Sequence, residues 1–550
     1  MRLRSCVSLA SLLLIGLGGA LPISEARADN CGSGTDSGLS SVACGTGSVA
    51  SGDFSTAIGN GSQATGYTST ATGSASEATG DNSTATGESS QATGENSTAT
   101  GQASKATGDN STATGENSEA AAENSTATGM NSQATGVSST ATGTGSQATG
   151  YASTATGAAS QATGNYSTAA GAGSQATGED STAMGVNSQA TGFASTAAGT
   201  ASLATGTHST AAGAASQATG ENSTATGGYS KAAGENSTAT GAASQATDVN
   251  STATGTASQA TGKNSTATGV NSQATGNDST ATGMASQATG EASTAAGVNS
   301  QATGDASTAT GVGSRATGYS STAIGVGSQA AVANSTAMGA YSAAMAEGST
   351  ATGVGSWALG ESSTATGRDS LAAAYNASAF GAEASAGYAN STAIGAGAAT
   401  TRANQVAIGT GSNTYTLAGL PSAASNAAQI GATNFVTTDS FGNLGTSMYG
   451  PDSIGALDGR VSALEGAIGQ SQQEARQGIA AAMAMTTAPM PSAPGRTSWA
   501  TNVATFRGEF AGGASFAHRF NTDFPLAITG GYAYGGGSNH GARLGLQGEF

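Results

Sequence analysis

The sequence predicts a mostly β chain with one long helix, and three patterns carry that prediction. Between residues 41 and 409 a seven-residue phrase, Ser-x-Ala-x-Gly-x-x, repeats without a shift of phase. From residue 454 apolar residues recur at spacings of three and four. Over residues 497–550 large apolar and small or polar residues alternate with period two. We therefore expect a repetitive β domain, then a helix, then a short sheet.

The repeat is best explained as a β-solenoid of 14-residue coils. Its second position alternates, as in Ser83-Thr84-Ala85-Thr86-Gly87 followed by Ser90-Gln91-Ala92-Thr93-Gly94, so each coil holds two short strands. Glycine at every seventh position costs a helix about 1 kcal/mol each. A flexible Gly/Ser linker is an alternative on composition. Alanine held at one position through some fifty units favours the solenoid. Seven units lack the glycine, at Ala122, Asp248, Val332, Ala346, Ala374, Tyr388 and Arg402.

The larger residues of the repeat occupy its second and fourth positions, which share one strand face. We expect this face to form the thin interior, with Ser and Ala facing a neighbouring chain; the reverse assignment stays open. The two residues after each glycine are expected to vary freely, as in exposed turns. The fourth position is occupied by Cys44, Ile58, Met184, Ile324, Met338, Leu359, Phe380, Ile394 and Ile408, and the second by Val42, Val49, Leu203, Trp357 and Leu371.

Composition and charge narrow the possible partners. The chain has 550 residues, 86 of them glycine, and only 5% aromatic and 9% charged residues, which is unlike one ordinary globular core. Its formal net charge of −17 argues against nucleic acid or anionic lipid as partners.

The N-terminus has the pattern of an export signal. Residues 1–28 begin with Arg2 and Arg4, continue with a short apolar run and end in Ala26-Arg27-Ala28, an A-x-A cleavage site. A short N-terminal segment, 29–40, precedes the repeats. The exported chain keeps Cys31 and Cys44, which either form a disulfide or stay as two thiols.

The end of the repeat resembles the YadA-like trimeric autotransporter adhesins. Residues 405–420, QVAIGTGSNTYTLAGL, are similar to the neck of that family, and Asn390-Ser391-Thr392-Ala393-Ile394-Gly395 is close to its Asn-Ser-Val-Ala-Ile-Gly head motif. Most units here carry Thr where the family motif has Val and Ile. The resemblance implies a left-handed parallel β-roll head over 41–400 and a neck over 401–420.

A connector and a coiled-coil helix follow the neck. Within 421–452, Phe435-Val436-Thr437-Thr438 and Phe441-Gly442-Asn443-Leu444 suggest a strand, a turn and a strand. Over 453–488 we predict a stalk helix that continues into the pore of the last domain. Heptads with Ile or Val at one core position and Leu at the other by themselves favour a coiled coil of two chains. The predicted coiled-coil core is Ile454, Leu457, Val461, Leu464 and Ile468.

The last segment, 489–550, has the alternation of outer-membrane strands, after prolines that end the helix. We predict strands at about 498–507, 509–520, 525–534 and 541–550. Four strands cannot close a barrel, and open edges are not tolerated in lipid. Three chains give twelve strands, whereas two give eight and leave no room for helices. The segment also resembles the family's anchor, a 12-stranded transmembrane barrel built by three chains. Phe550 resembles the signal read by the outer-membrane assembly machinery.

The sequence offers no constellation for catalysis. It has no P-loop, no Gly-x-Ser-x-Gly elbow and no Cys-x-x-Cys, and His208, His518 and His540 are too scattered for a triad or a metal site. We therefore expect no enzyme activity, no cofactor and no metal.

Two functional hypotheses remain. The first, favoured by the resemblance, is a homotrimeric adhesin of a Gram-negative outer membrane. Its pore would export the passenger, and its head would attach the cell to matrix proteins, glycans, abiotic surfaces or other cells. The second is a solenoid that binds ice or a mineral, which requires the Thr-Ala-Thr phrases to face outward. Candidate ligand contacts are the turn aromatics, unless these are chance variation: Tyr67, Tyr151, Phe193, Tyr229, Tyr319 and Tyr341.

Overall fold

The computed structural model describes residues 33–550, which form two compact units that divide between Asn413 and Thr414. The predicted signal peptide and Cys31 lie outside the described residues. Cys44 ends the first three-residue strand, Val42–Cys44, and is half-buried.

The first unit is a parallel β-solenoid in which two successive heptads make one coil. Each coil contributes one three-residue strand, from Val42–Cys44 to Thr392–Ile394, and Val406–Ile408 ends the series. Each coil also contributes one two-residue strand, from Thr35–Asp36 to Ser385–Ala386. Every strand pairs in parallel and in register with the equivalent strand of the next coil. We call the first series the threonine sheet and the second the glutamine sheet. The flexible-linker interpretation is therefore wrong.

The interior of the solenoid is built from alanine and serine, so the predicted assignment of faces is wrong. Ala85 and Ala92 are fully buried, as are Ser83 and Ser90, and the same holds along the repeat. The two sheets lie so close that only the smallest side chains fit between them. Most interior serines satisfy their hydroxyl locally: Ser83 Oγ donates to the carbonyl of Gly80 at 2.6 Å, and Ser90 Oγ to that of Gly87 at 2.9 Å.

The larger residues expected inside lie on the outer faces instead. The exposed residues at the fourth position are Ile58, Met184, Ile324, Met338, Leu359, Phe380, Ile394 and Ile408, and Cys44 at that position is half-buried. At the second position Trp357 is exposed, and the half-buried residues are Val42, Val49, Leu203 and Leu371. Variation at these positions is what a surface tolerates, and constancy of Ala and Ser is what a close-packed interior requires.

The two corners of each coil use glycine for different reasons. After each threonine-sheet strand from Val42–Cys44 to Thr392–Ile394 the glycine has a left-handed backbone, with φ between 114° at Gly395 and 142° at Gly213. After the glutamine sheet the backbone lies outside that region. All seven units without glycine fall at this second corner, which places Ala122 and Arg402 where an ordinary residue is allowed.

The second residue of each turn varies in identity, as expected, but its backbone conformation is fixed. It is left-handed throughout the head, as at Asn82 (φ 54°) and Asn236 (φ 54°), and asparagine is one of the few residues that adopts this conformation readily. Asparagines in successive coils also bond to each other. The Nδ2 of Asn222 donates to Oδ1 of Asn236 at 3.3 Å, and Asn236 to Asn250 at 3.2 Å.

The second unit contains two helices, a hairpin and a four-stranded sheet. A five-residue helix, Ala423–Ala427, precedes the antiparallel pair Val436–Thr438 and Leu444–Thr446. The long helix runs over Pro451–Ala484, ending four residues before its predicted end. The antiparallel strands Thr497–Phe506, Glu509–Arg519, Leu526–Tyr534 and His540–Gly548 follow in sequence order, close to the predicted ranges. Among residues 33–550 no helix combines the length and hydropathy needed to cross a bilayer.

The C-terminal end of the long helix packs on one face of this sheet. Ala480, Ala481 and Ala484 are buried against Ala511 and Ala533. A polar contact holds the same junction, because Gln477 Nε2 donates to Glu509 Oε2 at 3.1 Å and Asn539 Nδ2 donates to Gln477 Oε1 at 3.2 Å. Small and polar residues thus make up most of the helix-facing side of the sheet, where Phe506 also packs against the alanines.

Candidate functional site

The threonine sheet presents an ordered array of hydroxyl groups to solvent. Its strands read Thr-Ala-Thr in seven successive coils, from Thr70–Thr72 to Thr154–Thr156. The first threonine of each strand is half-buried and the second is half-buried or exposed. Strands in a ladder lie about 4.8 Å apart, and alternate residues of a strand about 6.7 Å apart. The face is therefore a flat lattice of hydroxyl and methyl groups, interrupted by exposed isoleucines and methionines.

The glutamine sheet presents a different outer face. Its exposed rows hold Gln at the second position and Thr at the fourth in most coils. Neighbouring amides approach each other along the rod, as in Gln147 Nε2 to Gln133 Oε1 and Gln301 Nε2 to Gln287 Oε1, both 3.4 Å. Amide ladders of this kind stabilise stacked strands and leave a polar surface.

The two edges of the solenoid differ in charge. The turns after the glutamine sheet carry most of the acidic residues of the repeat, and we call them the acidic edge. The turns after the threonine sheet are mostly small or apolar, with exposed Met130, Val186 and Val270 among them. The carboxylates of the acidic edge are Asp53, Asp81, Glu95, Asp109, Glu123, Glu179, Asp180, Glu221, Glu235, Asp248, Asp278, Glu291, Asp305, Glu347 and Glu361.

The six aromatic residues predicted as ligand contacts are all exposed but do not form one site. Four of them, Tyr67, Tyr151, Phe193 and Tyr319, stand on the acidic edge in well-separated coils. The other two, Tyr229 and Tyr341, stand on the opposite edge.

Three of the predicted aromatics have ring partners that sequence reasoning missed. Phe54 lies edge-to-face with Tyr67 at 5.8 Å between centroids, Tyr166 with Tyr151 at 5.3 Å, and His208 with Phe193 at 5.5 Å. The two members of each pair occupy equivalent turns of successive coils. The 14-residue period of the sequence could therefore have predicted that these rings are neighbours.

The long helix leaves its predicted seam uncovered in the single chain. Ile454, Leu457, Val461, Leu464 and Ile468 are all exposed along one stripe. A stripe with this spacing is the surface through which helices of a coiled coil meet.

The C-terminal sheet is apolar on the side away from the helix. Its register places Trp499 opposite Phe516 and Ile528 opposite Leu546. Apart from the half-buried Ile528 these side chains are exposed, as are Phe510, Leu544 and the terminal Phe550. The sheet has two open edges, Thr497–Phe506 and His540–Gly548. An apolar outer face and two unpaired edges are features of a barrel fragment that other strands complete.

No grouping of metal-ligating side chains occurs within the described part of the chain. The regular features of the first unit are its outer rows and its two edges. The fold class is a repetitive β-solenoid followed by a long helix and a four-stranded antiparallel sheet.

Comparison with known proteins identifies the family. The YadA head domain repeat matches more than half of the chain, at residues 37–62, 64–90, 78–104, 92–118, 106–132, 134–160, 148–174, 176–202, 204–230, 232–258, 260–286, 288–314, 316–342 and 346–370. The chain belongs to the YadA-like trimeric autotransporter adhesins, a non-enzymatic family.

A solved structure is also similar in sequence. The collagen-binding domain of the Yersinia adhesin YadA is 27% identical over 31% of this chain and 71% of that domain, with a TM-score of 0.17. The two structures do not superpose globally at that score, so the family assignment rests on the repeats. No curated protein sequence matches significantly.

Proposed function

We propose that the chain is a homotrimeric adhesin anchored in a Gram-negative outer membrane, with its head on the cell surface. The observation that carries this proposal is the four-stranded sheet with one apolar face and two open edges. Three copies supply twelve strands, which close a barrel whose apolar side faces lipid. The exposed stripes of three long helices then cover one another above the pore, and the helix ends occupy it.

We propose the following domain boundaries. The head spans 41–400, the neck 401–420, the connector 421–452, the stalk and plugging helix 453–488 and the anchor 489–550. Residues 1–28 act as the export signal and 29–40 form the N-terminal segment. The proposed Cys31–Cys44 disulfide would tie that segment to the first coil.

We further propose that the three heads meet through the threonine sheet. Since serine and alanine fill the interior of each coil, the face first expected to meet other chains is not available. The threonine sheet carries the exposed Ile58, Ile324 and Phe380 and adjoins the edge with exposed valines. Burial of these side chains gives the association its apolar contribution. The glutamine sheet and the acidic edge then stay open to a ligand.

The adhesive role is tested by displaying the full chain on cells that do not otherwise adhere. We expect retention on a matrix protein such as collagen, on glycans or on plastic, and aggregation between cells. A matched chain lacking 41–400 should be displayed equally and should not adhere. Equal adhesion by both chains would contradict a binding role for the head.

Removal of Phe550 should reduce the amount of protein in the outer membrane severalfold. The terminal aromatic closes the apolar pattern of strand His540–Gly548, and we propose that the assembly machinery reads it. The measurement is immunoblotting of outer-membrane fractions. The conservative change Phe550→Tyr is the control, since it keeps the ring. Equal membrane levels of the deletion and the full chain would refute the role assigned to Phe550.

Ice or mineral binding is a second candidate, because the threonines do face outward. The seven-coil run from Thr70–Thr72 to Thr154–Thr156 has the regularity that a crystal face demands. This function and the proposed head interface compete for the same sheet, so only one can hold. Inhibition of ice recrystallisation by the full-length protein, lost on changing Thr98, Thr112 and Thr126 to Val, would favour the second candidate. Absence of inhibition would remove it.

A further inference from the structure

The glutamine sheet changes its chemistry over four coils near the end of the head. Its second-position row reads Gln329, Ala343, Trp357, Leu371, where glutamine is the usual residue. In the adjoining row Met345 and Leu359 replace threonine. This cluster differs from the polar rows in the rest of the same sheet.

Except for Leu371, these side chains line a shallow pocket of about 320 Å³. Ala343 is its floor and is only 8% exposed, because its small side chain sits between longer neighbours. Tyr341 forms one wall, with its ring beside the backbone of Gly327, and Trp357 forms the other, with half of its surface exposed. The volume lies at the lower end of the range for small-ligand sites, about 300–1,000 Å³.

The described residues that line the pocket carry no charge. The amide of Gln329 is among them, and none of them is a lysine, an arginine, an aspartate or a glutamate. Neither a cationic nor an anionic ligand therefore meets an opposite charge in the lining.

We propose that this pocket binds one ring of a neutral saccharide, stacked on Trp357 and Tyr341 and hydrogen-bonded by the Gln329 amide. A sugar ring has an apolar face for the aromatic walls and hydroxyls for the amide. A purely apolar peptide would leave that amide without a partner, which costs binding energy. The floor and the Trp357 wall of the pocket lie on the glutamine sheet, which stays accessible when the threonine sheets meet, while the Tyr341 wall lies on the edge between the two sheets. The inference rests on the proposed adhesin function and names its ligand class.

The full-length protein in detergent allows a direct test. The sequence holds two tryptophans, so Trp499→Phe leaves Trp357 as the only one. On a glycan array, this protein should be retained by neutral glycans. Titration with the free sugar should then change the fluorescence of Trp357 saturably. Trp357→Gln restores the usual residue of the row, so the coil should fold, and we expect it to weaken array binding at least tenfold.

Tyr229→Ala is the matched control, because Tyr229 occupies the same repeat position as Tyr341 but stands beside Lys231 rather than beside the pocket. It should bind glycans like the parent. The proposal would be overturned if no neutral glycan retained the protein, or if the Trp357→Gln protein were retained equally well. It would also be overturned if the protein bound only apolar peptides, or if Trp357→Gln changed the number of subunits. If cells adhere through residues 41–400 and Trp357→Gln changes nothing, the pocket fails while the adhesin stands. If 41–400 is not needed for adhesion, the proposed function itself fails.

Discussion

Replacing Ala155 with leucine should destabilise the head strongly, whereas the same change at Thr156 should have little effect. Ala155 is fully buried between the two sheets, and Thr156 on the same strand is exposed. Overpacking a close-packed interior costs about 1–3 kcal/mol and occasionally more. We expect the upper end here, because a leucine would force the two backbones apart and break the ladder on both sides of its coil.

Calorimetry compares the unfolding temperatures of the two variants. Hydrogen exchange at the backbone amides of the flanking coils shows which coils are destabilised. In the Ala155→Leu protein, protection should fall in the coils next to residue 155 and persist far from it, since each coil contacts only its neighbours. A destabilised Thr156→Leu beside a stable Ala155→Leu would mean that the threonines, not the alanines, fill the interior.

Gly227→Ala should cost about 2 kcal/mol or more of unfolding free energy, and Gly220→Ala clearly less. An added methyl group would overlap the backbone of the next coil at both residues, on Gly241 for Gly227 and more closely on Gly234 for Gly220, so the expected difference rests on the left-handed backbone of Gly227, with φ +123°. Gly220 belongs to the other corner, where the chain itself carries alanine at positions 122, 346 and 374. Parallel denaturant titrations measure the difference. Equal losses in the two proteins would contradict the assigned difference between the corners.

The period, the strand pairs and the C-terminal strands could be predicted from the sequence because each follows from spacing alone. A phrase that never shifts phase fixes which residues stack, so Thr84 must pair with Thr98. The four strands of the last segment were placed within a residue or two, since period-two alternation marks both their faces and their ends.

The buried face of the repeat was predicted wrongly because size was taken as the sign of burial. In a two-sheet coil this thin, a residue as large as Ile324 fits only outside, and Ala323 beside it fits only inside. The near-constancy of alanine and serine at their two positions was the better indicator. The difference between the two corners of each coil could also have been predicted from the sequence, since all seven units without glycine occur in alternate heptads.

The pocket at Trp357 shows a different limit of prediction from sequence. Its residues are visible in sequence as exceptions to the repeat, but their proximity depends on how successive coils stack. Only once Ala343 is seen as a buried floor between Tyr341 and Trp357 do the exceptions form one surface.

The number of chains in the assembled protein tests the account most directly. We predict that the full-length protein, extracted from membranes in mild detergent and weighed by native mass spectrometry, contains three chains. Twelve strands then close the barrel, and three helix stripes cover one another. A mass corresponding to one, two or four chains would contradict the account, because the four-stranded sheets would then have no way to form the twelve-stranded pore.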